Sequence, residues 1–377
     1  MRLDAFTKRV MRKNKSNQSR LPLTISAQYG LVDQITFFNK VVASTDLSNY
    51  YLLKKGEFAY NKSYSSDYPW GAIKRLDNYD QGALSSLYIC FASQDNVVSD
   101  FILQYFESPK WHKGISEIAV EGARNHGLLN VAVQDFFHTY HYVPKDKKEQ
   151  IKVSKLLMLL DERIATQSKI IDKLQSLIKG ICNNYFEKLS VQEKANLIRL
   201  SDVLKERNEY SSKDGKFIHG TLSKDGIFPK TGRWDRDFLV KQEDKKYKVT
   251  HLDDICYNPA NLKFGVICRN TFGDLIFSPI YVTFEVCKNV NIGFMELYLT
   301  NHNFIEKVRR FEQGTVYERM AVSPEDFLSY KIRIPSYSDQ TFFYKKVQWL
   351  ITLSQNEMKL LSQYKKLRQY LLRQMFI

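Results

Sequence analysis

The chain has 377 residues, with 44% hydrophobic and 26% charged, a size for two or three domains and the composition of a soluble globular protein. Its formal net charge of +15 points to a polyanionic partner: nucleic acid, an acidic membrane surface or an acidic protein. No run of about 18 apolar residues exists, residues 1–6 lack the apolar core of a signal peptide, and the five cysteines (Cys90, Cys182, Cys256, Cys268, Cys287) never fall at C-x-x-C spacing. A membrane span, a disulfide framework and a zinc site are therefore not expected, and a reducing cytoplasm is the expected setting.

The first segments with a period are β-branched and aromatic runs at 58–60 and 87–91, which predict strands. Residues 101–106 read as a short helix. The stretch before Pro144 reads as a strand, which would set His138 and His141 on opposite faces. From about Gln150 the pattern turns helical. Leu157, Leu160, Ile164, Gln167, Ile171, Leu174, Ile178, Ile181 and Tyr185 alternate spacings of three and four, a heptad seam broken by no proline. Beyond it, 276–284 predicts a strand, 294–299 a short helix and 330–334 a strand. After Pro335 a second long helix is expected from about Thr341 to the end, with the apolar stripe Val347, Leu350, Leu353, Leu360, Tyr364, Leu367 and Leu371. At 1.5 Å per residue, each helix of roughly 36 residues would be about 54 Å long. A stripe of that length needs a partner, and the two matched helices are expected to pair with each other as an antiparallel coiled coil.

These elements recur because the chain repeats itself once. Tyr60-Asn61 is echoed by Tyr257-Asn258 at an offset of 197, and Gly71-Ala72-Ile73 by Gly265-Val266-Ile267 at 194. Tyr88 returns as Tyr281, Asp135-Phe136 and Pro144 as Asp326-Phe327 and Pro335, and Phe186 as Phe376. Matches kept in one order with a slowly drifting offset are a duplication. The fold class expected is α+β: two globular mixed α/β domains alternating with two long helices, pseudo-two-fold symmetric, with boundaries at 1–147, 148–190, 191–337 and 338–377.

The sequence assembles no catalytic constellation. Asn258-Pro259-Ala260-Asn261 imitates the Asn-Pro-Pro-aromatic motif of amine methyltransferases, but Asn261 stands where the base-stacking aromatic is needed, so the segment reads as a turn. Asp237 with Glu243, Asp244 and Lys245 loosely imitates a metal-nuclease site, yet the first repeat has no counterpart and a solvated charged turn is the better reading. No phosphate-binding G-x-x-x-x-G-K loop is present. No catalytic residue, metal ligand or bound cofactor is expected in this chain. The remaining candidates are polar, basic and aromatic residues of the loops, chosen because Arg and Asn pair with base edges while Lys and Ser hold phosphates: Lys62, Ser63, Tyr64, Lys74, Arg75, Asn258, Asn261 and Arg269. Tyr60 and Tyr257, kept in both repeats, read as buried framework.

Leu159-Leu160-Asp161-Glu162-Arg163-Ile164-Ala165-Thr166-Gln167, continuing as Lys169-Ile170-Ile171-Asp172-Lys173-Leu174, resembles the central spacer helix of specificity subunits of type I restriction-modification enzymes. The C-terminal run from Lys365 to Ile377 resembles their distal spacer helix. Tyr60-Asn61-Lys62-Ser63-Tyr64-Ser65 and Gly71-Ala72-Ile73-Lys74-Arg75-Leu76 resemble one class of their target-recognition domain. The resemblance implies a non-catalytic reader of a split sequence in double-stranded DNA. Two methyltransferase subunits and the restriction and translocase subunits would be its partners, and S-adenosylmethionine, ATP and Mg would be bound by them. It implies that Leu157, Leu160, Ile164, Ile171, Leu174, Ile178, Leu350, Leu353, Leu360, Leu367 and Leu371 pack the spacer helices. The competing reading is a coiled-coil adaptor, or a silent copy, with no DNA-directed role; the two long helices are themselves basic, so charge alone does not place DNA on the loops.

Overall fold

The computed structural model describes residues 1–119, 127–211, 217–224, 226–230, 246–313 and 320–376. Asp237, Glu243, Asp244 and Lys245 lie outside them. The chain divides into two units: 1–169 with 358–377, and 170–357.

Unit 1 opens with β1 (Thr7–Arg9), β2 (Pro22–Ser26), β3 (Gly30–Asp33), α1 (Gln34–Phe38), β4 (Tyr51–Lys54), β5 (Phe58–Asn61), β6 (Ala72–Arg75), β7 (Gln81–Leu84) and β8 (Ile89–Ser93). Next come α2 (Ser99–Glu107), α3 (His112–Ile118), α4 (Val133–His138) and the start of α5 (Lys147–Val191). One sheet has the order β1-β8-β5-β6, the other β3-β2-β7-β4, with β2 and β7 parallel. The first sheet is covered on both faces. Phe58, Tyr60, Ile89 and Phe91 join the cluster with α2 and α4, whereas Ala59 and Cys90 turn to the cluster of the second sheet. That is why β5 reads as an unbroken apolar run: alternating side chains all find cover.

Unit 2 repeats this plan. Its elements are the end of α5, β9 (Asn196–Arg199), β10 (Leu204–Glu206), β11 (Tyr210–Ser211), β12 (Ile218–Ser223), β13 (Gly226–Pro229), β14 (Tyr247–Thr250), β15 (Ile255–Tyr257), β16 (Ile267–Arg269), β17 (Leu275–Phe277) and β18 (Val282–Val286). They are followed by α6 (Ile292–Leu299), α7 (His302–Val308), α8 (Pro324–Ser329), β19 (Lys331–Ile334) and α9 (Tyr337–Gln374), whose last turns belong to unit 1. The sheets are β10-β18-β15-β16 and β11-β14-β17-β12-β13, with a β19-β9 pair. The four-stranded orders are those of unit 1, including the parallel pair, now β12 with β17; β11 and the β19-β9 pair are additions, where unit 1 has only the single bridges Lys13–Tyr51 and Arg2–Tyr140.

Each unit is closed by both long helices. In unit 1, Arg368 of α9 holds Asp161 of α5, Arg163 lies 5.7 Å from the Tyr364 ring, and Leu157 and Leu372 enter one cluster. The helices therefore run antiparallel there. In unit 2, Tyr185 of α5 stacks on Phe343 of α9 at 3.7 Å between centroids, and Val347 is buried in the same core. Along α5, Leu157, Leu160, Gln167 and Ile171 are buried, and Ile164, Leu174 and Ile178 half-buried.

The distal helix departs from the expected stripe in part. Its buried positions include Val347, Ser354 and Leu372, while Leu350, Leu353, Leu360, Tyr364 and Leu371 are half-buried and Leu367 is 46% exposed. The heptad from Val347 passes through Ser354, Leu361 and Arg368, one residue beyond Leu353, Leu360 and Leu367. A polar pair such as Arg368 with Asp161 can occupy an inward position, so the most apolar line in the sequence is not the inward one. Two other expectations are corrected. The single strand at 276–284 is two, β17 and β18, which lie in different sheets and are joined through a turn at Pro279. His138 ends α4 and is exposed, and His141 is buried outside any strand. Among the described residues no helix is long and apolar enough to cross a membrane, and no cysteine is paired.

Candidate nucleic-acid interface

The loop between β5 and β6 is shaped by its ends. Tyr60 is fully buried and donates its hydroxyl to Trp70 O at 2.9 Å. The Asn61 side chain accepts from Ser63 N at 3.0 Å and turns the chain. Gly71 has φ +77°, and a Cβ there would lie 2.1 Å from Asn61 O, so only glycine closes the loop. Backbone bonds from Tyr64 N to Gly127 O and from Leu129 N to Lys62 O brace it. The result leaves Ser63 exposed, Lys62 half-buried and Tyr64 47% exposed on a fixed loop.

Unit 2 builds its equivalent loop with different parts. Tyr257 is again fully buried, its hydroxyl donated to Val322 O at 3.1 Å. Asn258 is buried and caps the tight turn Pro259–Phe264, accepting from Ala260 N at 3.1 Å. Gly265, at φ +76°, ends that turn. Asn261 is half-buried, and its carbonyl accepts from the glycine that closes the turn. The exposed residues are Lys263 and Phe264, with the Lys263 ammonium 5.2 Å from the Phe264 ring. Sequence reasoning passed over this pair; the aromatic-basic echo of Lys62 and Tyr64 at the same loop was the signal.

Lys74, Arg75 and Arg269 sit on β6 and β16 and face the following helix. Lys74 is 9% exposed and donates to Glu107 of α2 at 2.5 Å. Arg75 bonds Asp77 and Asp100, each at 2.7 Å. Arg269 bonds Asp253 at 2.6 Å and reaches Glu296 of α6 at 3.5 Å. Burial opposes the charge of Arg269, but Asp253 and Glu296 more than offset it and raise its pKa. Asp253 holds this pair from a left-handed backbone, φ +74°. Arg75 and Arg269 are equivalent in the repeat and both tie a strand to its helix. With Lys74 and Asn258 they are engaged inside their own domains, which separates them from the solvent-facing Lys62, Ser63 and Tyr64. We expect Lys74→Met to lower the stability of unit 1 by about 1–3 kcal/mol, since Glu107 loses its partner in a partly buried position. Urea denaturation against wild type checks this; an unchanged midpoint would mean that Glu107 is adequately hydrated without the lysine.

Among the described residues no group of His, Cys, Asp or Glu is arranged to hold a metal ion. The burial that pushes the Cys90 thiol up to about 12 also makes it a poor nucleophile. No family model matches the sequence, and no curated protein matches it. Solved structures do match. The S subunit of a type I restriction-modification system from M. genitalium is 16% identical, with a TM-score of 0.58 over 100% of this chain and 95% of that one. A chain from a structure of a type I restriction-modification system, solved to explain its assembly and conformational transition, is 12% identical, with a TM-score of 0.58 over 99% and 95%. Along its whole length, this chain has the fold of a type I restriction-modification S subunit.

Proposed function

We propose that this chain is the specificity subunit of a type I restriction-modification enzyme, a non-catalytic reader of a two-part sequence in double-stranded DNA. The observation that carries the reading is the duplicated two-sheet domain, with long helices between and after the copies, in a fold shared end to end with S subunits. In this reading the β5–β6 and β15–β16 loops approach the duplex, with Lys62, Ser63, Tyr64 and Asn261 as contacts. The helices set the spacing of the two half-sites. S-adenosylmethionine, ATP and Mg belong to the methyltransferase and restriction subunits. The long helices support such partners, because they expose apolar side chains outside their seams: Leu156, Leu159 and Leu177 on α5, and Phe342 and Trp349 on α9, each at least 47% exposed.

The test is methylome sequencing of cells expressing this chain with the methyltransferase subunit encoded beside it, against cells lacking this chain. A new bipartite adenine-methylation motif is the expected result. A stable complex with no new motif would point to a silent copy, and no complex at all to an adaptor with other partners.

A further inference from the structure

In both units the segment leading out of the first 3-10 turn closes two sheet edges. In unit 1, β1 pairs with β8 at the edge of one sheet. The chain then passes to the other sheet, where Leu52 N donates to Arg12 O and Lys13 bridges to Tyr51 on β4. In unit 2, β10 pairs with β18 and Tyr210 with Lys248 on β14. Residue for residue the offset is 197, so Lys8, Arg9, Arg12 and Lys13 correspond to Lys205, Glu206, Glu209 and Tyr210.

The same structural task is done with opposite electrostatics. In unit 2 three of the charges in 205–211 are paired: Glu206 holds Lys248 at 3.1 Å, Arg207 holds Asp254 at 2.9 Å, and Glu209 lies 3.0 Å from His251. In unit 1, residues 8–20 contain Lys8, Arg9, Arg12, Lys13, Lys15 and Arg20 and no acidic residue. Arg12 reaches Glu57 at 2.8 Å, and Lys13 bonds Asn49 O. Lys8, Arg9, Lys15 and Arg20 are exposed and have no ion-pair partner among the described residues.

Part of this segment is held rigidly. Asn14, fully buried, donates to Ser19 O and Leu47 O and accepts from Ser19 N, and Asn17 accepts from Leu47 N. Ser16 and Asn17 are both left-handed, at φ +55° and +51°, a conformation non-glycine residues keep only when their surroundings impose it. Lys15 and Arg20 thus flank a fixed loop. Protection of sheet edges by lysine does not account for the excess, because residues 205–211, which close the same edges in unit 2, carry two basic and two acidic side chains.

We infer that residues 8–20 form a phosphate-gripping surface for double-stranded DNA, with Lys8, Arg9, Lys15 and Arg20 as its contacts; of these four cations the second repeat keeps only the first, as Lys205. The inference rests on the DNA-reading role proposed above. It makes the first domain the main source of sequence-independent, salt-sensitive affinity, while the second depends more on its own contacts to bases.

The experiment measures binding of the full chain to a mixed-sequence 40-base-pair duplex at several salt concentrations. Wild type is compared with the quadruple variant K8Q/R9Q/K15Q/R20Q and with the charge-keeping K8R/R9K/K15R/R20K. Each phosphate contact contributes about 0.9 to the slope of log K against log salt. The neutral variant is expected to lose about 2–4 from that slope, and the charge-keeping variant to retain it. An unchanged slope in the neutral variant, with wild-type binding intact, overturns the phosphate grip alone. Self-association of the neutral variant with its DNA slope intact would assign these charges to edge protection and overturn it equally. Failure of wild type to bind the duplex would remove the DNA-reading role itself.

Discussion

Phe376→Ala is expected to destabilise unit 1 by about 3–5 kcal/mol, the range for truncating a buried phenylalanine. Phe376 is 3% exposed, two residues beyond the last residue of α9. Its ring lies 5.4 Å from Phe101 and 5.6 Å from Tyr105, both on α2. Leu372, one turn earlier, enters the same cluster. The substitution removes an aromatic from a packed core that has no alternative occupant, so transfer and cavity costs add. Hydrogen exchange reads the effect locally: peptides covering α2 should exchange faster, and those covering α6 should not. Equal acceleration in both would show that the two helices unfold together, and no acceleration would mean that the C-terminus contributes little to the core. The repeat supplies a parallel case. Phe186, near the end of α5, lies 5.7 Å from Phe294 and 4.8 Å from Tyr298 on α6. Phe186→Ala should therefore reverse the pattern, loosening α6 and sparing α2.

Acid should weaken unit 1 through His141. The imidazole is 3% exposed, within 2.9 Å of the Tyr105 hydroxyl and 2.7 Å of the Thr139 hydroxyl. Burial, assisted by the nearby Met1 ammonium, lowers its pKa from 6.5 to about 4. The folded chain thus refuses a proton that the unfolded chain accepts. His141 costs no stability above pH 6.5, and stability falls as the pH drops from about 6.5 to about 4. A separation of that size corresponds to about 3 kcal/mol. The second repeat places Ile332 at this position, buried to 2% exposure, so His141→Ile is a replacement the fold already accommodates. The variant should lose about 1–2 kcal/mol at pH 7, from hydroxyls left without the ring, and show a flatter pH profile between 6.5 and 4. Denaturant midpoints across that range test it. Parallel profiles for wild type and variant would place the acid sensitivity elsewhere.

The duplication, the two long helices and the seam of α5 were legible in the sequence. A heptad pattern and an ordered set of echoes are local properties, and they survive whatever the chain packs against. Tyr60 and Tyr257 were legible as framework for the same reason. The loop that presents Lys62, Ser63 and Tyr64 was legible too, because Asn61 and Gly71 impose its shape locally.

Which polar side chains are left over depends on long-range packing. Lys74, Arg75 and Arg269 look like free cations in the sequence, but each has a carboxylate partner 25 to 33 residues on, at Glu107, Asp100 and Glu296, that reaches it only after α2 or α6 folds back on β6 or β16. On α9 the inward line lies one residue beyond Leu353, Leu360 and Leu367 because it includes Ser354 and Arg368, which a hydrophobic stripe cannot reveal. The cross-closing of the units was likewise invisible: the core of the first globular part is completed by the end of the second repeat's helix, and that of the second by the end of the first's. Pattern reports which side chains must be buried; which neighbours bury them is a long-range fact, settled when distant segments meet.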